Sequence, residues 1–352
     1  MAYFFVGLLV VVLATLLSVP LLPAIHELRN KQDAEPLHVI QQHAGDIRHF
    51  AQSFASLIKE LEPILDRSRY CGDVTRGVLP DGSHYFVLGN ADQIPVQKRH
   101  GLSECPYVIA FSADVNCPGR MSFAKEIYSS RHFQGGDQNQ YRAILGGAGI
   151  HLGRNSTVLR WAHAGGELIA HEGCSLYGRA SAQERIELRP GSRFLRLNAP
   201  RIDVGLSSEE NVSAPAISSS LATKGNRILY EGDVVINAGE VVHGNVVARG
   251  KLHLAAGAHV IGSIKSNKNL VIENEAIVEG SVIGAEQIIV GSRCNLHGPV
   301  IAERSLVLYS GTICGTPHQL TTVSSPEIQV QAGVVVFGTL WARESGSVWG
   351  RA

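Results

Sequence analysis

The sequence predicts an all-β fold, a three-sided β-solenoid in which each turn contributes three short strands. Four glycines recur every 18 residues without a slip, at Gly244, Gly262, Gly280 and Gly298. Apolar residues keep fixed places within that period, in pairs two apart, and the pairs recur every six residues. Alternation at period two is typical of strands, and stacked short repeats are typical of solenoids.

The apolar places of the repeat form columns that we expect to point into the solenoid. One column is Leu252, Leu270, Ile288 and Leu306, and two residues after each member come Leu254, Ile272, Val290 and Leu308. Ile272 and Val290 lie in the middle of the ladder, with aliphatic residues on both sides, so both are expected to be buried. These columns predict a β-helix over residues 228–350.

A second ladder with the same 18-residue period is predicted upstream, over residues 105–204. Its columns are Phe123, Tyr141, Leu159, Tyr177 and Leu195, and Ile150, Leu168, Ile186 and Val204. A turn column contains only residues that tolerate a left-handed backbone, namely Gly119, Asp137, Asn155, Gly173 and Gly191. Residues 205–227 are rich in serine and predict an exposed loop between the ladders.

The N-terminal residues 1–26 predict a transmembrane anchor. Ala2 to Ile25 carry no formal charge and are long enough to cross a bilayer as a helix. The basic start of a cleaved signal peptide is missing, which favours an uncleaved anchor. Arg29 and Lys31 follow the span, so we expect a single-pass protein of the inner (cytoplasmic) membrane with its C-terminal domain in the cytoplasm.

Helical spacing replaces the strand pattern over residues 36–65. Apolar residues seven apart, with others between them, predict an amphipathic or coiled-coil helix: Ile40, Ile47, Phe54 and Leu61, and Phe50, Leu57 and Ile64. Such a helix fits a coiled coil, a cap on the end of the solenoid, or a membrane surface. Residues 66–104 are expected to form a linker with one short strand at 84–88.

Composition limits the classes of partner and compartment. The chain has 31 basic and 31 acidic residues and no basic block, so nucleic-acid binding is not expected. Six cysteines without a CxxC pair fit a reducing compartment better than a disulfide framework. Cys294 and Cys314 fall in apolar columns, where a thiol acts as a small hydrophobic group.

No catalytic, cofactor-binding or metal-binding residue is predicted. His151, His163 and His171 lie in neighbouring turns but not in one column, and His243 and His297 are three turns apart. His318, in an insertion after Cys314, is the one positional candidate for a general base. Arg142, Arg160 and Arg196 share the 18-residue spacing, which fits either a solvated face or a surface for an acidic polymer or lipid headgroups.

Three runs of residues resemble the bactofilin family of bacterial polymer-forming cytoskeletal proteins. They are Tyr230 to Val234, His243 to Val246 and Val278 to Val282, and the resemblance covers about residues 226–349. It implies a right-handed β-helix that assembles end to end into filaments. The candidate membrane span and the additional ladder at 105–204 depart from the family pattern.

The function expected from these features is a membrane-anchored, non-enzymatic scaffold that self-associates and contacts cell-envelope proteins. One alternative is an acyltransferase-like enzyme of the hexapeptide-repeat class, although the place after the inward aliphatic holds Ile261, Glu279 and His297 rather than small residues. Another is a module that binds cell-wall or polysaccharide machinery.

Self-association is predicted at the C-terminal end of the second ladder. An apolar, aromatic-rich final turn is typical of an interface core. Its residues are Val336, Phe337, Leu340, Trp341 and Trp349. The competing expectation is that this segment folds back as the cap of its own domain.

Overall fold

The computed structural model describes residues 46–99, 102–205 and 227–350, with isolated positions between residues 4 and 19. The chain divides into two units, Met1–Val39 and Ile40–Ala352. In the described residues, no helix has both the length and the apolar character needed to cross a membrane. Most of the predicted anchor, residues 1–26, lies outside the described residues, as do residues 36–45 of the predicted helix and residues 206–226 of the predicted exposed loop.

Two consecutive helices pack on a side face of the first ladder. Helices α1 (His49–Ile58) and α2 (Glu62–Cys71) are joined by a 3₁₀ turn, and Gly72 ends α2 in a left-handed conformation. The helices bury Phe54, Ile58 and Leu61 against outward side chains of the ladder, including Val108 and Trp161. A helix was expected here, but it covers a flat face of the solenoid and not its end.

The first ladder contains strands β1 to β15, and it begins earlier than predicted. Their bounds are β1 Thr75–Val78, β2 His84–Leu88, β3 Gln97–Arg99, β4 Leu102–Cys105, β5 Val108–Phe111, β6 Val115–Asn116, β7 Met121–Ser129, β8 Phe133–Gln134, β9 Gln140–Gly146, β10 Ile150–Leu152, β11 Thr157–Ala164, β12 Glu167–Ala170, β13 Ser175–Ala182, β14 Arg185–Leu188 and β15 Arg193–Val204. Residues 66–104, expected to be a linker, supply the end of α2 and the four strands β1 to β4.

Antiparallel hairpin strands close the start of the first ladder. β2 pairs in parallel with β5 and carries β1 antiparallel on its outer edge. In the same way β4 pairs in parallel with β7 and carries β3 antiparallel. Such hairpins replace the flat end of a solenoid by short, irregular edges, which protects against unwanted strand pairing.

A bulge shifts one predicted column of the first ladder by a residue. Tyr141 pairs with Val158 and not with Leu159, because the register slips between Val158 and Trp161. Leu159 and Tyr177 are therefore exposed at 42% and 47%, whereas Val158, Leu176 and Phe194 fill the core. The column from Ile150 through Leu168 and Ile186 holds, but its next member is Ile202, and Val204 pairs with Leu188.

The second ladder contains strands β16 to β32. Their bounds are β16 Arg227–Tyr230, β17 Val234–Ile236, β18 Val241–His243, β19 Asn245–Ala248, β20 Leu252–Leu254, β21 His259–Ile261, β22 Ile264–Ser266, β23 Leu270–Ile272, β24 Ile277–Val278, β25 Val282–Gly284, β26 Gln287–Val290, β27 Asn295–Leu296, β28 Val300–Ala302, β29 Ser305–Leu308, β30 Ile313–Cys314, β31 Thr321–Gln331 and β32 Val334–Trp349. The two ladders together make a β-solenoid of about 13 turns.

The predicted columns of the second ladder are confirmed. Leu252, Leu270, Ile288 and Leu306 stand in register on successive turns, and Ile272 and Val290 are buried. The glycine column has a steric cause, because a Cβ atom on Gly298 would lie 2.5 Å from the carbonyl oxygen of Gly280. Cys294 and Cys314 are fully buried in the core, as expected for thiols in apolar columns.

The two ladders meet at their final turns, and there the strands are antiparallel. β15 pairs with β32, with Leu197 opposite Leu340 and Val204 opposite Val334. Elsewhere within the ladders, neighbouring turns pair in parallel. The second ladder therefore begins at the end that is farther from the first ladder, and its turns run back towards the junction. Gly205 and Arg227 are thus separated by about seven strand spacings, or about 34 Å.

Candidate functional site: the ends of the two ladders

The residues predicted to form a self-association surface lie at the junction between the two ladders. Val336 and Leu340 are fully buried, and Phe337 is 5% exposed. The backbone of Val336 is paired with Ile202 and that of Leu340 with Leu197. The edge that was expected to recruit another copy is thus occupied by β15 of the same chain.

Side chains as well as backbone groups cross this junction. The guanidinium carbon of Arg196 lies 4.6 Å from the centre of the Trp341 ring, within the range of a cation–π contact. The amide of Asn198 donates a hydrogen bond to the Thr339 hydroxyl over 2.9 Å. Trp349 is partly exposed and packs edge-on against Tyr309 of its own ladder.

The opposite end of the second ladder, called the open end below, has no covering strand among the described residues. Its first turn consists of β16, β17 and β18, which pair with β19, β20 and β21 of the next turn. On the outer side, none of the described residues pairs with these three strands. Sequence reasoning overlooked this end, although the periodic pattern begins abruptly at Arg227 and no earlier repeat of this ladder precedes it.

The apolar core is partly exposed at this end, although the two inward residues of β17 are buried. Tyr230 occupies the same column as Ala248, which is fully buried, yet the tyrosine is 42% exposed. Ile228 and Val242 also belong to inward columns and remain partly exposed. At the junction, β15 covers the inward residues of the last turn. The two ends of the second ladder therefore differ in how much of their apolar core is exposed.

Backbone hydrogen-bonding groups of the first turn point away from the ladder. Val234 donates its N–H to Lys251 over 2.9 Å, and Ile236 accepts from Ala255 over 3.0 Å. In a parallel strand the two groups of one residue point to the same side, and successive residues alternate. The N–H and C=O of Val235, between these two, therefore face the open edge.

The histidines in the described part of the chain do not converge on a catalytic or metal-binding arrangement. His151 lies 3.2 Å from Glu167, His163 lies 2.8 Å from the Ser181 hydroxyl, and His318 is exposed on the turn before β31. His259 lies 3.0 Å from Glu279, and burial lowers the pKa of His297 in the neighbouring turn. No group of three histidine, cysteine or acidic residues in the described chain has metal-binding geometry.

The three arginines that share the 18-residue spacing have separate environments. Arg142 forms an ion pair of 2.9 Å with Glu126, and Arg196 contacts Trp341. Arg160 lies in the bulge that shifts the register, so it is not in line with the others. The gap at Gly178 is steric, because a Cβ atom there would collide with the carbonyl of Arg160.

Comparison with known proteins identified no matching family model, no matching curated protein and no matching solved structure.

Proposed function

We propose that this protein is a membrane-anchored, non-enzymatic scaffold that self-associates through the open end of its second ladder. The observation that carries the proposal is the contrast between the two ends of that ladder. At one end, β32 is covered by the antiparallel strand β15 of the first ladder. At the other end, the first turn presents backbone hydrogen-bonding groups and apolar side chains that no strand among the described residues covers.

The partner that fits the open end is the same end of a second copy. An isologous contact about a two-fold axis runs strands antiparallel, as β15 and β32 do within one molecule. It would pair the outward backbone groups of Val235 and cover Tyr230 and Val242. Uncovered strand edges recruit further strands, and burying exposed apolar residues stabilises the contact.

An isologous contact through a single end produces a closed dimer and not a filament. The bactofilin resemblance over 226–349 supports a scaffold role and implies right-handed winding and end-to-end assembly. Because β15 occupies one end of the second ladder, the proposed assembly uses only the other end and stops at two copies. Contacts with cell-envelope proteins would then use the outer faces of the solenoid.

Membrane attachment belongs to the proposal because of the charge-free residues 2–25 and the following Arg29 and Lys31. A reporter that is active only outside the cytoplasm, fused after Ala352, should be silent in cells. A strongly active reporter would place the solenoid on the other side of the membrane and contradict the proposed orientation.

Native mass spectrometry of the full-length protein released from detergent tests self-association. We expect the parent to be a dimer and Val235→Pro to be a monomer with unchanged circular dichroism. Proline removes the outward N–H, and the hydrogen bonds of Val234 and Ile236 to the next turn remain.

Val235→Thr is the matched control, because it keeps the N–H and the β-branched shape, and it should remain a dimer. A parent that is monomeric at every concentration, or a Val235→Pro variant that associates like the parent, would refute the proposed interface.

A further inference from the structure

A cavity of about 290 Å³ lies between α1 and the side face of the first ladder, beside the β1–β2 hairpin. We propose that it binds a small organic anion, a carboxylate or phosphate monoester carried on a flat apolar body. The cavity combines an aromatic wall with basic side chains from three successive turns, and this combination defines the ligand class.

The apolar wall comes from the contact between helix and ladder. Phe54 of α1 and Trp161 of β11 have ring centres 5.7 Å apart, with their planes tilted by 57°. Val108, which is 1% exposed, lies behind them, and the volume is near the lower limit for small-molecule sites. The wall therefore suits a single ring rather than a long chain.

The charged side of the cavity carries Lys125, Arg142 and Arg160 on β7, β9 and β11. Successive strands lie about 4.8 Å apart, so the three side chains originate within about 10 Å. Arg142 is neutralised by Glu126, whose carboxylate oxygen lies 2.9 Å from its Nε atom. Lys125 and Arg160 take part in no ion pair within the described part of the chain.

The remaining carboxylate of the cavity, that of Asp81, is engaged in its own turn. It accepts hydrogen bonds from the Ser83 N–H over 2.9 Å and from the Ser83 hydroxyl over 3.1 Å. Arg179 lies 5.1 Å from the centre of the Phe50 ring at the rim and adds a further cation. Basic groups thus exceed acidic groups at the cavity, which favours an anionic ligand.

Isothermal titration calorimetry of the full-length protein tests the site with phenyl phosphate and phenylacetate as probes. We expect at least one of them to bind, and Arg160→Gln to weaken that binding at least tenfold. Lys125→Gln should weaken it in the same direction. The matched control Arg131→Gln removes an exposed cation of the same ladder outside the cavity and should bind like the parent.

Two further probes separate the alternatives, one without the charge and one without the apolar ring. Benzyl alcohol should bind at least tenfold more weakly than the better anion, and equal binding would reduce the site to an apolar slot. Inorganic phosphate should also bind more weakly, and equal binding would show that the apolar wall contributes nothing. No binding of either anion, or the same affinity in a folded Arg160→Gln protein, would overturn the proposal.

Discussion

The side chain of His163 shows how one residue connects the helical cover to the pH dependence of stability. It lies on the outer face of β11, and its ring nitrogen is 2.8 Å from the Ser181 hydroxyl. Burial lowers the pKa of His163, and the nearby Arg48 lowers it further, while Asp46 acts in the opposite direction. The folded protein therefore favours the neutral imidazole.

Acidification should destabilise the fold through this residue. A histidine in the unfolded chain titrates near 6.5, above the pKa in the folded protein, so the stabilisation is complete above that value. As the pH falls below 6.5, histidine in the unfolded chain takes up a proton before His163 in the folded protein does. Between the two pKa values, the free energy of unfolding then decreases by up to about 1.4 kcal/mol per pH unit. The melting temperature should fall from pH 7 to pH 5, and less so in His163→Gln.

His84→Gln provides the control, since that imidazole is exposed on β2. It should retain the pH dependence of the parent. A parent with equal melting temperatures at both pH values, or a His163→Gln variant with an undiminished fall, would contradict the assignment. Burial also lowers the pKa values of His171 and His297, so part of the dependence should persist in the variant.

Single residues also mark where the sequence stops predicting the structure. Asn155, Gly173 and Gly191 of the predicted turn column do have left-handed backbones, with φ of 54°, 72° and 77°. At the two earlier turns the left-handed residue is the next one, Arg120 and Gln138. The 18-residue spacing predicts the repeat. It does not predict a bulge, which shifts the position of the left-handed residue by one and leaves the spacing of the later turns at 18 residues.

At the level of elements, helix α1 and its 3₁₀ extension could be predicted, but their site of packing could not. Phe54 and Leu61, two members of the heptad pattern, are buried. Phe50, another member of that pattern, is 50% exposed at the cavity rim. The face of the ladder that the helix covers is determined by outward residues such as Trp161. The 18-residue columns mark only the inward residues, so they do not show which outward residues are covered by the helix and which are exposed.

The junction strands offer a direct test of which chain closes the second ladder. Asn198 and Thr339 are opposite residues of an antiparallel pair, whose side chains lie close enough for a disulfide. In a background with the exposed Cys71 replaced by serine, the double variant Asn198→Cys, Thr339→Cys should oxidise to an intramolecular disulfide. Its mass on a non-reducing gel should remain that of a monomer.

The control pair Asn198→Cys, Thr322→Cys places the second thiol one strand further away. Thr322 is the neighbour of Thr339 on β31, so the two cysteines are about 9.6 Å apart, beyond the reach of a disulfide. The control should stay reduced under the same conditions. A disulfide-linked dimer from the Thr339→Cys pair would show that this end pairs between molecules after all.

For the whole molecule, the sequence predicted two ladders and the core columns of the second, but not the relative direction of the ladders. Leu252 and its successors are buried whichever way the ladder points, so the period contains no information on polarity. The antiparallel contact depends on long-range pairing between β15 and β32, which no local pattern reveals. The uncovered first turn could not be predicted for the same reason, because a periodic pattern does not show which end of a ladder is paired.

The order in which the ladders are made has a consequence for folding. Asn198 and Thr339, which bond across the junction, are separated by 141 positions in the chain. During synthesis the first ladder can complete its local pairings long before β32 exists, and the edge of β15 stays uncovered throughout that interval. Contacts of such separation slow folding, and exposed edges promote misassembly. The slowest step of folding should therefore be the docking of β32, and the junction should be the part most dependent on chaperone protection.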